Sequence, residues 1–461
     1  MHIIIIGGGD VGRELAQNLS VKHQSIVVVD KNPDTFKMLG QQLDLSAIHG
    51  NGANLDVLEK AKIRSAEMLI AVTESDEVNI IACMIAKTFG VKFTVARVRN
   101  PDSAGSIDVD TKGLTQTQVG INMIISPEKT VAQEIAKMIH FPDAVETESY
   151  ADGKVTFLAV KVTEHAEIIK RPLRAVSLPK GCIVVGIKRP DGDFVLPGGN
   201  DTVSAGDTVY LVGRAEIMRQ ASRVLHPKEI RVNRVVILGG GIIGSGLAAH
   251  LEADRNHSYI AKIIEKDEER ADELNRCLRK TIVMPGDGTA LSYFNGEEIA
   301  EADVLVAATG DDRTNLIASV MGLRLGVPKV ISEVAKLEYA PVYDAVGVTD
   351  TINPHLIAAS RILRFTRWEE VVSLSLLRDE VTEIMELVLP ESAEVVGKRI
   401  ADARFPAGLL VGSIVRNREV IIPDGDTRLR ADDHLVILAM PKVCGGLDRF
   451  FACQKKPAGV G

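Results

Sequence analysis

No apolar run in this chain approaches the ~18–20 residues needed to span a bilayer; His2-Ile3-Ile4-Ile5-Ile6 and Met68-Leu69-Ile70-Ala71-Val72 are of strand length. The chain is therefore expected to form no pore and to insert directly into no membrane. The N-terminus also lacks the basic region, apolar stretch and cleavage site of a signal peptide, because a strand pattern begins at residue 2. A cytosolic location is the expectation. Cys83, Cys182, Cys277, Cys444 and Cys453 include no C-x-x-C pair, which argues against a zinc ribbon, a redox dithiol or a disulfide scaffold. No long Lys/Arg run offsets the formal net charge of -8, so the phosphates of nucleic acid are repelled. Anionic lipid headgroups are repelled too, and any attachment to a membrane has to pass through a protein partner.

What the chain does have is length, ordinary globular composition and a repeat. Its 461 residues suit three or four domains at roughly 100–200 residues each. Hydrophobic residues at 46% and charged residues at 25% match a soluble average. His2 to Gly12, His-Ile-Ile-Ile-Ile-Gly-Gly-Gly-Asp-Val-Gly, returns as Val235 to Gly244, with Gly7 answered by Gly239 232 residues on. Gly50-Asn51-Gly52 matches Gly286-Asp287-Gly288, and Ala71-Val72-Thr73 with Asp76 and Asn79 matches Ala307-Ala308-Thr309 with Asp312 and Asn315. Pro197-Gly198-Gly199-Asn200-Asp201 is answered by Pro423-Asp424-Gly425-Asp426. Domain-scale self-similarity of this kind means two copies of one unit.

Within each copy, strand-length apolar runs alternate with amphipathic helical stretches, the mark of βαβ units and a parallel sheet. Strands are expected at 2–6, 25–29, 45–49, 68–72 and 93–97. Alternation in Phe157–Val162, Ile183–Ile187 and Val209–Val212, with Asp191-Gly192 as a hairpin turn, marks a smaller β-rich lobe that recurs at 384–389, 410–415 and 435–439. The fold class is thus α/β: two Rossmann-like parallel-sheet domains, 1–125 and 231–352, each followed by a β-rich α+β lobe, 126–225 and 353–453. Pro127 and Pro354 each open a helix, with Val131, Ile135, Met138 and Ile139 on one face of the first and Leu356, Ala359, Ile362 and Leu363 on one face of the second. Each helix either packs on its own lobe or docks a neighbouring one.

Gly7, Gly9 and Gly12 follow an all-Ile strand, and Gly239, Gly241 and Gly244 follow its counterpart. In such a turn the first glycine permits the bend, the second lets backbone approach a pyrophosphate, and the third packs helix on strand. The phosphate then meets free amides at the helix N-terminus. An acid ends the second strand of each copy, Asp30 and Glu265. A carboxylate there accepts from ribose hydroxyls and repels a 2′-phosphate, favouring NAD(H) or adenosine nucleotides over NADP. Thr73 and Thr309 sit at carboxyl ends of later strands, where open α/β sheets bind ligands. Arg97 offers a fork to phosphate, or else pairs at the surface; its counterpart is Glu333, so the two sites should differ.

No catalytic residues and no metal ligands are assigned. A dehydrogenase needs a proton donor or acceptor near the nicotinamide, and no such set is evident. Tyr150-Ala151-Asp152-Gly153-Lys154 spells Tyr-x-x-x-Lys, but Asp152-Gly153 signals a turn and separates the two side chains. The ten histidines are scattered without metal-site pairing. The chain is expected not to be an enzyme; the rival is an NAD-dependent oxidoreductase with an unrecognised substrate site, and a third reading is a nucleotide-binding scaffold unrelated to transport.

These residues resemble the regulatory subunits of bacterial Trk potassium-uptake systems, proteins of two tandem RCK (KTN) modules, over essentially the whole chain. The likeness rests on the doubled Gly-Gly-Gly strands, Asp30 and Glu265, the turns at Asn51 and Asp287, Thr73-Glu74-Ser75-Asp76, Thr309-Gly310-Asp311-Asp312 and Ala96-Arg97-Val98-Arg99. It implies that the Rossmann-like domains are RCK N-lobes, that the ligands are NAD(H) and ATP or ADP, and that a homotetrameric ring binds the Trk-type potassium channel subunit at the cytoplasmic face of the inner membrane. It further implies a first site of Gly7, Gly8, Gly9, Asp10 and Val11 at the phosphates, Asp30 at ribose, Thr73 and Glu74 as wall and Arg97 near phosphate. The second site would use Gly239, Gly240, Gly241, Ile242 and Ile243, with Glu265, Thr309 and Gly310. Asn51, where the second copy has Asp287, and Glu333, where the first has Arg97, are departures that bear on which nucleotide each site prefers.

Overall fold

Ile3 to Ile6 are at most 1% exposed, as a strand covered on both faces of a parallel sheet must be. They form β1 (His2–Ile6), followed by β2 (Ser25–Asp30), β3 (Ser46–His49), β4 (Met68–Ala71), β5 (Phe93–Arg97) and β6 (Met123–Ile125). All pairings are parallel and the order is β3-β2-β1-β4-β5-β6. The order reverses between β1 and β4, so the crevice beyond their carboxyl ends is where such a sheet takes a ligand. The computed structural model describes residues 2–20, 25–33, 46–99, 120–227, 232–254, 257–290, 297–367, 371–376, 383–440, 443 and 448–451. Cys444 and Cys453 lie outside them.

The first β-rich lobe holds β7 (Ala144–Tyr150), β8 (Val155–Lys161), β9 (Cys182–Lys188), β10 (Phe194–Val195) and β11 (Thr208–Arg214), antiparallel in the order β10-β9-β11-β8-β7. The second copy then repeats both designs. Its parallel sheet is β14-β13-β12-β15-β16-β17, from β12 (Arg234–Leu238), β13 (Ile260–Glu265), β14 (Ile282–Pro285), β15 (Val304–Ala307), β16 (Lys329–Glu333) and β17 (Asp350–Ile352). Its antiparallel sheet is β18-β19-β22-β20-β21, from β18 (Val371–Leu376), β19 (Glu383–Val388), β20 (Leu409–Arg416), β21 (Glu419–Ile421) and β22 (His434–Ala439).

Contacts group the lobes by kind rather than by order along the chain. One unit comprises 1–139 with 232–363, and the other 140–231 with 364–461. In the β-rich unit the two sheets share a core in which Tyr150, Phe157, Val185 and Val212 of the first copy meet Ile384, Val415, Val436 and Leu438 of the second. The Ala151 amide donates across it to Glu386 Oε1 at 3.1 Å.

In the parallel-sheet unit the helices Pro127–His140 and Pro354–Arg367 join the two copies. Val131, Ile135 and Ile139 are buried, as their spacing predicts, while Met138 is half-buried. Ala132 lies against Gly246 on the helix Ile242–Ala253, where an added Cβ would come within 3.3 Å of the Ala132 Cβ. From the other side, Arg361 Nη1 donates to Thr130 Oγ1 at 3.1 Å. The docking alternative describes both helices, and each groups with the parallel sheets rather than with the β-rich lobe that follows it.

Five of the six strands of the first parallel sheet were readable from apolar runs, as were three of five in each antiparallel sheet. β6 and β17 are three residues long, too short for a periodic signal. β7 reads Ala-Val-Glu-Thr-Glu-Ser-Tyr, whose glutamates disguise a strand at the sheet margin, where polar side chains find water.

Candidate functional site

Gly7 turns the chain out of β1 with φ +101°, and Gly239 does so after β12 with φ +100°, a region that side chains with a Cβ avoid. Gly12 and Gly244 are needed for packing. A Cβ at Gly12 would lie 1.8 Å from the Gly7 carbonyl oxygen, and one at Gly244 would lie 1.9 Å from that of Gly239. The middle glycines differ: a Cβ at Gly9 or at Gly241 would meet nothing within 4 Å. The protein therefore gives no steric reason for glycine at these two positions. What the open space fits is a pyrophosphate drawn against the backbone, at the N-termini of the helices Asp10–Ser20 and Ile242–Ala253. Asp10 and Val11 begin the first helix and Ile242 and Ile243 the second.

The two acids brace these loops. Asp30 Oδ2 accepts from the Gly8 amide at 2.6 Å and Oδ1 from the Asn32 amide at 2.7 Å. Glu265 accepts from the Gly240 and Asp267 amides in the same way, and the Arg270 guanidinium donates to the Gly240 carbonyl at 3.1 Å. An ionised carboxylate has about four acceptor sites. The described amide bonds use two on each acid.

Beyond the loops lie cavities of about 480 Å³ in the first copy and about 590 Å³ in the second. Gly7, Gly9, Asp10, Val11, Asp30 and Asn51 line the first, together with Thr73, Glu74 and Arg97. Gly239, Glu265, Asp287 and Thr309 line the second. Gly310 follows in the turn with φ +77°. Asp287 accepts from the Thr289 hydroxyl and amide and pairs with Lys266 Nζ at 3.3 Å, which together hold its carboxyl down at about 2. Asn51 Oδ1 accepts from the equivalent Ala53 amide at 2.9 Å.

Three sets of residues take roles that the sequence alone left open or did not assign. Asn79 and Asn315, both fully buried, are hubs: each side-chain oxygen accepts from the amide and hydroxyl of Thr73 or Thr309, and each nitrogen reaches the carbonyl of residue 97 or 333. Their recurrence in both repeats was the available signal. Arg97 lines the cavity and also pairs with Glu128 Oε1 at 3.1 Å, both side chains being largely buried. Its counterpart Glu333 is buried too, and burial foremost, then the Asp312 carboxylate, pushes its carboxyl up to about 7. The third is His355, a residue of the second copy that lines the first copy's cavity, 4.0 Å from Asp10 Oδ2. No local pattern announces a contact over that sequence distance.

The sequence Tyr150 to Lys154 bends as its composition predicts. Ala151, Asp152 and Gly153 all have positive φ, of 52°, 55° and 81°, and Tyr150 is buried in the β-rich core.

Two doubly wound sheets, each with a glycine cradle and a bracing carboxylate, define a tandem dinucleotide-fold protein. The model of the TrkA-N domain matches residues 3–127 and 235–354, and that of the TrkA-C domain matches 157–226 and 384–452. The chain belongs to the TrkA family. It is 33% identical over 458 residues to the Trk system potassium uptake protein TrkA homolog 1 of Methanosarcina mazei, covering 98% of this chain and 100% of that one. With the Trk system potassium uptake protein TrkA of Vibrio alginolyticus it shares 32% identity, covering 96% of each chain. In fold it is similar to the GsuK RCK domain (TM-score 0.59, 18% identity, 98% of this chain and 95% of that one). A GsuK channel bound to NAD is similar as well (TM-score 0.61, 18% identity, 98% and 79%).

Proposed function

We propose that this chain is the nucleotide-binding regulatory subunit of a Trk-type potassium-uptake system, that it catalyses no reaction, and that its occupancy by NAD(H) and by ATP or ADP gates a separate membrane subunit. The observation that carries the reading is the open space beside Gly9 and Gly241, repeated in both copies within one family framework. In the first copy the Gly7–Val11 loop holds phosphates, Asp30 the ribose, and Thr73 and Glu74 the wall; the second uses Gly239–Ile243, Glu265 and Thr309. Support for potassium uptake comes from the relatives' names, and support for the ligands from the GsuK structures bound to NAD and to ADP. Among the described residues no helix is long and apolar enough to cross a membrane, so conduction is assigned to a partner. A homotetrameric ring at the cytoplasmic face of the inner membrane is the arrangement that suits such a partner.

Gating follows from shared residues. Asp10 and His355 belong both to the first cavity and to the contact between the two copies, and Arg97, in the same cavity, faces His355. A ligand that prefers one arrangement of that contact shifts the population toward it. Pull-down of the potassium-conducting membrane subunit in NADH, ATP, ADP or no nucleotide tests the reading: capture or flux that changes with nucleotide supports it, and absence of any association removes it. Steady oxidation of NADH with a carbonyl substrate would instead favour an oxidoreductase.

A further inference from the structure

Two pairs of matched positions in the two copies have opposite chemistry, and the basic pair lines the first cavity. Arg97 ends β5 and Glu333 ends β16 in its place. His355 is the second residue of the helix Pro354–Arg367, and its counterpart, the second residue of Pro127–His140, is Glu128. The first cavity thus has a guanidinium and an imidazole where the second copy's equivalents are two carboxylates. Both basic groups also carry a buried nitrogen with no hydrogen-bond partner, Arg97 Nε and His355 Nδ1. A buried donor left unpaired is costly, and a turn of either group toward an anion in the cavity they line would relieve that cost. Arg97 has five donors, so its bond to Glu128 leaves others for a ligand.

We propose that His355, supplied by the second repeat, completes the first cavity as a receptor for the terminal phosphate of a nucleoside polyphosphate, acting beside Arg97. This rests on the nucleotide reading above and specifies which ligand the first site takes. In the second copy the matching positions hold Glu333 and Glu128, carboxylates that would repel a phosphate and that are not among the described residues lining its cavity. His355 is faced by Asp10, Arg97, Glu128 and Asp312; burial first, and Arg97 next among the depressing influences, hold its ring below the usual histidine range, while the three carboxylates oppose them. A phosphate anion adds a further negative charge, so binding should draw a proton onto the ring.

The test is calorimetry on the full chain with the second cradle blocked by Gly241→Val, or by Gly241→Ala if the valine variant does not fold. ATP, ADP, AMP and NADH are titrated in buffers of different ionisation enthalpy. The expected result is proton uptake with ATP and ADP, and roughly tenfold weaker ATP binding in His355→Ala, the size of one charge-assisted contact, with AMP affinity unmoved. His355→Arg should restore ATP affinity without the proton uptake. If His355→Ala binds ATP as tightly as its parent and takes up the same number of protons, the assignment is overturned while the nucleotide reading stands. If the unmutated chain binds no nucleotide at all, both fall.

Discussion

Asp30 holds the amide of Gly8 at 2.6 Å, so the residue assigned to ribose is also the one that fixes the phosphate loop. Asp30→Ala should therefore weaken nucleotide binding at the first site by about ten- to a hundredfold, the worth of hydrogen bonds to a charged group. Titration by fluorescence or calorimetry measures it. Unchanged affinity would remove Asp30 from the site.

The three cradle glycines separate by what surrounds them. Gly9→Val and Gly241→Val should each abolish binding at one site and leave the melting temperature near that of the parent, because their Cβ positions are open. Gly12→Ala and Gly244→Ala place a Cβ against a backbone oxygen and should lower stability by about 1–3 kcal/mol or more, as overpacking does. Thermal melts with binding stoichiometry distinguish the two classes; loss of fold in the Gly9 variant would refute the open-space argument.

Asn79→Ala strips four hydrogen bonds from a fully buried position and leaves the carbonyls of Thr73 and Arg97 without that donor. At about 1–3 kcal/mol for each buried group left unsatisfied, a loss of at least about 2 kcal/mol is expected from urea unfolding. Asn315→Ala should behave alike, and indifference in both would show that the hubs are dispensable.

Glu333 gives a pH dependence of definite sign. Burial holds its carboxyl at about 7 in the folded protein, above the usual glutamate value of about 4.5. The folded protein then binds the proton more tightly than the unfolded chain, so stability falls as pH rises from about 4.5 to about 7 and stays reduced above. Glu333→Gln should abolish that slope and be the more stable form at pH 8, by on the order of 3 kcal/mol. Unfolding curves at pH 5 and pH 8 decide; parallel profiles for parent and variant would contradict it.

In the second β-rich lobe, Arg416 clasps the fully buried Asp433 with Nε at 2.7 Å and Nη2 at 2.8 Å, and Arg189 clasps Asp207 in the first. Arg416→Ala leaves a buried carboxylate without its cation, so a destabilisation of about 3–5 kcal/mol is expected. Adding Asp433→Asn should recover part of it. A melting temperature unmoved by the single change would show that the pair is not structural.

The parallel sheets and their glycine loops were legible because an apolar run followed by glycines at fixed spacing is a local signal, and its recurrence in a second copy strengthened it. Asp30 and Glu265 were found by position, at the ends of β2 and β13, and both brace the loop they follow. His355 was not, because its place at the first cavity depends on how one copy's helix lies against the other; nor was Glu128, because the three-residue β6 that sets it beside Arg97 gives no periodic signal. Arg97 was read as a phosphate ligand or a surface ion pair; it lies in the cavity, and its ion pair with Glu128 is largely buried. The pairing of like lobes was also invisible, since Phe157 and Ile384 each alternate as any half-buried strand residue does and only the folded unit brings them together.

That shared seam settles what a lone repeat has to offer. Phe157 and Val212 cut away from Ile384, Val436 and Leu438 would leave a greasy sheet face to water, so a single repeat has to find a twin to cover it. The tandem chain carries that twin within itself, and association with further copies has to recruit some other part of its outside.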